Sequence, residues 1–235
     1  MFTESQSSTY DLFSGKDEEQ IKFMEELCVQ IDYYDNVVGG ITKKESHLMD
    51  NISKGILHRA FSVFLFNSKG DLLLQQRSNK KITFPNAFTN TCCSHPLYCE
   101  EELEETNAIG IKKAALRKLE HELGVAKNKL SVNDINFITR IHYKAASNDI
   151  WGEHEIDYIL LVQKDVDLKL NLNEVNCCKY FSKEQLKEFL DTSDNNGVII
   201  TPWFRLIANT FLWNWWEDLE KTKRSPCDPA IHRMC

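Results

Sequence analysis

Between Gly110 and Gly124 the chain reads IKKAALRKLEHEL, with Ile111, Ala115, Leu116, Leu119 and Leu123 at helical spacing and a glycine placed to stop the helix. The flanking segments carry a different period. Residues 61–66 alternate, a turn follows over 67–70, and residues 71–77 predict a second strand closing a hairpin, with Leu72 and Leu74 sharing one face. Further strands are predicted over 28–32, 137–143 and 156–162. A short helix is predicted from Ile21, and another over 182–190 opens with a capping box from Ser182 to Gln185. Thr201 and Pro202 open a long helix to about Glu220, with Leu206, Ile207, Phe211, Trp215 and Leu219 as its buried stripe.

Strands and helices alternate without βαβ regularity, and neither an internal repeat nor a domain-sized linker interrupts them. The expectation is one α+β (mixed α/β) domain over 21–235, with mixed sheets and flanking helices. The polar first twenty residues predict a mobile arm.

Composition narrows the function. The chain has 28 basic and 35 acidic residues, a formal charge of -7, which argues against a protein held to nucleic acid by its overall charge. No apolar run approaches the roughly 20 residues needed to span a bilayer. Eight cysteines in 235 residues do not read as a disulfide scaffold, and the adjacent pairs Cys92-Cys93 and Cys177-Cys178 lack the CxxC spacing of a zinc ribbon. The start of the chain lacks a secretory pattern, so reduced thiols and a cytoplasmic location are expected.

Reactive side chains crowd three places: His47 and His58, the run 89–96 (TNTCCSHP), and the run 151–155 (WGEHE). In an extended segment Glu153 and Glu155 project to one face and His154 to the other. Alone, the carboxylates fit a solvated edge as well as a site, and each histidine fits an ordinary hydrogen-bonded position. If His47, His58 and His95 converge with the two glutamates, the mixed N/O set suits a five- or six-coordinate divalent ion rather than a closed zinc site. Cys93 is either a buried apolar residue or a thiol whose proton affinity is set by a nearby cation. Lys43, Lys80, Arg77 and Lys81 read as surface cations, although Arg77 and Lys81 flanking a pocket would suit a diphosphate.

In these runs, together with 42–44, 55–63, 75–77, 81–85, 140–143 and 201–204, the chain resembles the type I isopentenyl-diphosphate delta-isomerases of the Nudix fold superfamily. The resemblance covers all but about the first twenty residues. It implies a single Nudix-like domain that interconverts isopentenyl and dimethylallyl diphosphate in isoprenoid biosynthesis by protonating one carbon and deprotonating another. It further implies Cys93 and Glu155 as the proton-transfer groups, Trp203 facing the developing cation, and Tyr143 bonded to Glu155 or steadying that charge.

By the same resemblance His47, His58, His95, Glu153 and Glu155 hold one divalent ion, Mg²⁺, Zn²⁺ or Mn²⁺. Lys43, Arg77, Lys81 and Ser94 bind the diphosphate, with a second Mg²⁺ bridging it to Glu122. The expected protein is a monomer acting on a small diphosphate, without nucleic-acid or membrane partners. Peroxisomal forms in this family end in His-Arg-Met or a related tripeptide, whereas here Cys235 follows Met234.

The alternative is a Nudix hydrolase of a small organic diphosphate. Aligning the hydrolase pattern GX5EX7REUXEEXGU on Arg117 to Val125 keeps Arg117, Leu119, Glu122 and Gly124, but Lys118 and His121 replace glutamates. Ile109 and Leu103 fall at the upstream glutamate and the opening glycine. Hydrolysis needs those carboxylates to hold metals and activate water.

Overall fold

A computed structural model describes residues 12–235. In it the strands are β1 (Leu27–Ile31), β2 (Val37–Thr42), β3 (His58–Phe66), β4 (Leu72–Arg77), β5 (Phe88–Thr89), β6 (Cys92–Ser94), β7 (Ile135–Ala146), β8 (Gly152–Gln163), β9 (Val175–Phe181) and β10 (Ile231–Arg233). They form one mixed sheet in the order β10-β7-β8-β3-β1-β2, with β4 and β6 also paired to β3 and with β5 and β9 flanking β4.

All nine residues of β3 are buried, because both its edges are paired and both its faces are covered. Its alternation sorts the core into two layers. Phe61, Val63 and Leu65 pack with Ile111, Ala115 and Leu119 of the Ile109–Leu123 helix. Phe64 and Phe66 point the other way, among Phe204, Ile207, Leu212 and Trp216. The sheet is thus sandwiched between helices, as the period of each segment predicts. Gly124 ends the first helix at φ 67, where an added Cβ would come within 2.3 Å of the Lys169 carbonyl oxygen.

The fold differs from expectation in several places. The hairpin of β3 and β4 holds only at its mouth, Phe66 opposite Leu72; beyond it β4 turns away to pair with β9 and β5, freeing β3 for β6 and β8. The helix from Pro202 does not run evenly to Glu220: a π-helical turn occupies Ala208–Leu212, and Asp218 at φ -144 breaks the chain before Leu219–Arg224. The wider turn rotates the stripe, so Ile207, Leu212 and Trp216 are buried while Leu206, Phe211 and Trp215 are half-buried.

Residues 1–11 of the expected arm lie outside the described residues. Residues 12–20 are folded onto the domain. The helix near the N-terminus spans Glu18–Phe23 rather than starting at Ile21, because the Asp17 carboxylate accepts the Glu19 and Gln20 amides as N-cap. Gln20 is buried against Asn173 and Glu174, and the Phe13 ring stacks on Trp151.

Candidate active site

Period-two geometry builds the centre of the site. On β8, Glu153 and Glu155 are buried on one face. His154 turns to the other, where its Nδ1–H donates to the Ile56 carbonyl at 2.7 Å and its Nε2 meets His142 Nε2 at 2.9 Å. Arg233 of β10 donates to His142 Nδ1 at 2.9 Å, so this chain of hydrogen bonds requires both rings neutral.

His58 opens β3 directly beside Glu155 in the parallel ladder, His95 follows β6, and His47 ends the Lys43–His47 helix. Three elements distant in sequence therefore deliver three imidazoles to two carboxylates. One ligand atom from each of the five residues lies within 4.8 Å of all the others. His95 Nε2 is 2.7 Å and His58 Nε2 3.1 Å from Glu155 Oε1, and His47 Nε2 is 2.8 Å from Glu153 Oε2.

The donor set fits a divalent cation. His47 Nδ1–H donates to the Lys43 carbonyl at 2.7 Å, which leaves its Nε2 lone pair facing the cluster. His47 Nε2 and Glu153 Oε2 are close but not aligned for a hydrogen bond, and both are buried without another partner. Burial pulls His47 down and His95 well down, so both rings are neutral, the form that ligates. For Glu155 burial acts upward, but His58 and Tyr143 outweigh it and hold the carboxylate below its usual range.

A cavity of about 30 Å³ opens against this cluster. Its lining includes Cys93, Glu155, Tyr143 and Trp203, together with Lys43, Arg77, Lys81 and Ser94. On β6, Cys93 faces the cavity and Cys92 faces away, 3.6 Å from Glu122 Oε2. Burial pushes the Cys93 thiol up to about 12, with Arg77 pulling against it, so the sulfur keeps its proton at neutral pH.

Arg77 reaches the thiol at 3.7 Å and sits 5.8 Å from the centre of the Trp203 ring. Its other donors go to the carbonyls of Thr83 and Phe84, the latter held at φ 46, a costly backbone for an aromatic residue. Trp203 opens the Pro202–Ile207 helix and donates its indole N–H to Asn90 at 3.2 Å.

Glu122 does not join the metal-type cluster. It stands on the Cys92 side of β6, with Lys118 at 3.2 Å from Oε1 and the Gln75 amide at 3.2 Å from Oε2. Two further lining residues were not legible beforehand, since Phe61 and Thr83 carry no chemical signature; nor was Glu174, which stands behind the lining, bonded to Lys81 at 2.7 Å, and precedes an unpredicted strand. Asn90 could have been singled out from the TNTCCSHP run as a buried crosslink.

Residues 56–204 match a family model described as a NUDIX domain. Over 227 residues the chain is 52% identical to isopentenyl-diphosphate delta-isomerase of Bos taurus, covering 97% of this chain and 98% of that protein. The chain belongs to the NUDIX isopentenyl-diphosphate delta-isomerases. The chloroplastic isopentenyl-diphosphate delta-isomerase of Arabidopsis thaliana is 50% identical, covering 88% of this chain and 75% of that one. A solved structure from Deinococcus radiodurans shares the fold with a TM-score of 0.52 at 18% identity, over 79% of this chain and 99% of its own.

Within this isomerase family the altered hydrolase motif acquires a structural meaning. Lys118, standing where hydrolases carry a glutamate, is buried between Glu122 at 3.2 Å and Glu174 at 3.7 Å. A cation thus occupies the place of a metal-binding carboxylate, which disfavours hydrolysis. All eight cysteines are free, and no helix among the described residues is long and apolar enough to cross a membrane.

Proposed function

We infer that the chain interconverts isopentenyl diphosphate and dimethylallyl diphosphate by a 1,3-allylic proton shift in which Cys93 and Glu155 exchange protons with the substrate. One observation carries this reading: a protonated thiol and a carboxylate line the same cavity as an aromatic face and three cationic side chains. A proton added to the terminal alkene carbon places positive charge on the tertiary carbon, and removal of a proton from C2 restores a double bond one position along. The forward reaction leaves one group short of a proton and the other with one extra; the reverse reaction exchanges their roles.

Trp203 presents its ring to that charge, an interaction worth about 0.5 to 2 kcal/mol or more once water is excluded. Glu155 turns Oε1 toward the imidazoles and accepts from the Tyr143 hydroxyl on Oε2 at 2.5 Å. Tyr143 thereby fixes the orientation of the carboxylate, Oε2 toward its own hydroxyl and Oε1 toward the imidazoles. His47, His58, His95, Glu153 and Glu155 would hold a divalent ion, Mg²⁺, Zn²⁺ or Mn²⁺, whose positive charge would set the proton affinity of Glu155. Lys43, Arg77, Lys81 and Ser94 hold the diphosphate. Glu122 would hold a second Mg²⁺, which would neutralise charge on the diphosphate, once the Lys118 ammonium yields Oε1. The free thiols fit a reducing, cytoplasmic compartment.

Incubating the protein with isopentenyl diphosphate and Mg²⁺ and following the acid-labile allylic diphosphate tests the reading. Release of inorganic phosphate without allylic product would reject it in favour of hydrolysis.

A further inference from the structure

Glu174 lies just before β9, outside the cavity lining, and is 2% exposed. Its Oε2 accepts from the Lys81 ammonium at 2.7 Å and lies 3.7 Å from the Lys118 ammonium, while its Oε1 accepts from the Gln20 amide at 2.7 Å. Gln20 is itself buried and also donates to Asn173, whose side-chain amide donates to Asp17, the cap of the Glu18–Phe23 helix. A continuous set of buried polar contacts therefore runs from the N-terminal helix through Glu174 to Lys81 on the cavity wall.

We propose that Glu174 is a positioning residue for substrate binding, holding the Lys81 ammonium where it meets the diphosphate, and that Gln20 holds Glu174 in turn. This rests on the reading that Lys81 binds the diphosphate. An ammonium has three N–H donors. Glu174 receives one, the single hydrogen bond the Lys81 ammonium makes among the described residues, and two remain for an anion. The bond fixes the direction of a long, flexible side chain before substrate arrives, which removes an ordering cost from binding.

Glu174 also keeps the amine charged. Lys81 is buried among Lys43, Arg77 and Lys118, with His121 beyond Lys118, and burial with those cations draws its proton affinity down while Glu174 draws it up. Without the carboxylate, a buried amine among like charges either loses its proton or turns away.

The test is steady-state kinetics on the full chain with isopentenyl diphosphate and Mg²⁺, comparing wild type, Lys81→Gln, Glu174→Gln, Glu174→Asp and the Glu174→Gln/Lys81→Gln double variant. Glu174→Gln should raise KM about tenfold with kcat within about threefold, and Glu174→Asp should recover part of the loss. The alkaline fall of kcat/KM should move to lower pH in Glu174→Gln, a change that loss of fold stability alone does not produce. Acting through Lys81, Glu174→Gln should add nothing to the KM of Lys81→Gln.

An unchanged KM and pH profile in Glu174→Gln, or additive losses in the double variant, would overturn the proposal while Lys81→Gln still binds poorly. An unchanged KM in Lys81→Gln would instead remove the underlying reading, and the proposal with it. If Glu174→Gln does not fold, Gln20→Ala decides: a rise in KM of about twofold to threefold supports the coupling, and no rise overturns it.

Discussion

Tyr143 on β7 stands directly opposite Glu155 on β8, and its hydroxyl donates to Oε2 at 2.5 Å while Oε1 of the same carboxylate meets His95 at 2.7 Å. The strand register therefore fixes both oxygens of the proposed acid/base. Tyr143→Phe removes the donor and keeps the buried ring, so the fold should persist. The expected result is a fall in kcat of about tenfold to a hundredfold with KM nearly unchanged, the signature of a group acting in proton transfer. Kinetics and a thermal melt on the same preparation check this; equal kcat would detach Tyr143 from the chemistry.

Cys92 and Cys93 are neighbours in sequence with opposite surroundings. Cys93→Ala should abolish turnover, a loss of at least about a hundredfold, and leave the circular dichroism spectrum intact. Cys92→Ala should retain activity and lose stability, because it vacates a fully buried position in the core beside Glu122. Equal losses of turnover would contradict the facing assigned to β6.

A divalent metal should copurify at about one per chain, as five converging donors imply. His47→Ala should lower that occupancy, read by elemental analysis. Glu153→Gln should do the same, since its orphaned Oε2 loses the charge that makes it a ligand. Full occupancy in both variants would place the metal elsewhere.

For Trp203, Trp203→Phe should retain weakened activity and Trp203→Leu should lose more, although both replacements are apolar. An ammonium-bearing analogue with a diphosphate tail should lose affinity, relative to substrate, in Trp203→Leu. An unchanged ratio would make the ring only a wall of the cavity.

The pH dependence follows from Lys81, whose proton affinity burial pulls down to about 8. As pH rises through about 8 the free enzyme loses an anion-binding charge, so kcat/KM should fall on that limb while kcat falls less. Stability moves oppositely. Between about 8 and about 10.4, the ordinary lysine value, the unfolded chain binds more protons at this residue than the folded one, so this group's contribution to stability rises with pH. Parallel kinetics and denaturant melts across that range separate the two; a kcat/KM profile flat to pH 10 would remove Lys81 from the binding site.

Sequence patterns identified the parts of the site that depend on local geometry. Glu153 and Glu155 share a face, and Cys93 parts from Cys92, because strands alternate every residue. Their meeting with His47 and His58 depended on which strands pair, and periodicity carries no such information; the resemblance to a family supplied it. The π-helical turn at Ala208–Leu212 escaped notice because an apolar helix segment reads alike with four or five residues between contacts. Glu174 escaped for a different reason: an isolated acidic residue in a polar loop looks exposed, and only its tertiary partners Lys81, Lys118 and Gln20 account for its burial.

The short strand Ile231–Arg233 pairs in parallel with Arg140, Ile141 and His142, the three residues immediately before Tyr143. It covers the outer rim of β7, where unpaired N–H and C=O groups would otherwise serve as a template for another chain. A polypeptide trimmed ahead of Ile231 should therefore show two symptoms together: self-association with rising concentration, and faster amide hydrogen exchange along the β7 segment that carries Tyr143. For the bench, this recommends placing an affinity handle away from the last few residues, since a fusion there would tug on the seal of a sheet edge one residue from Tyr143.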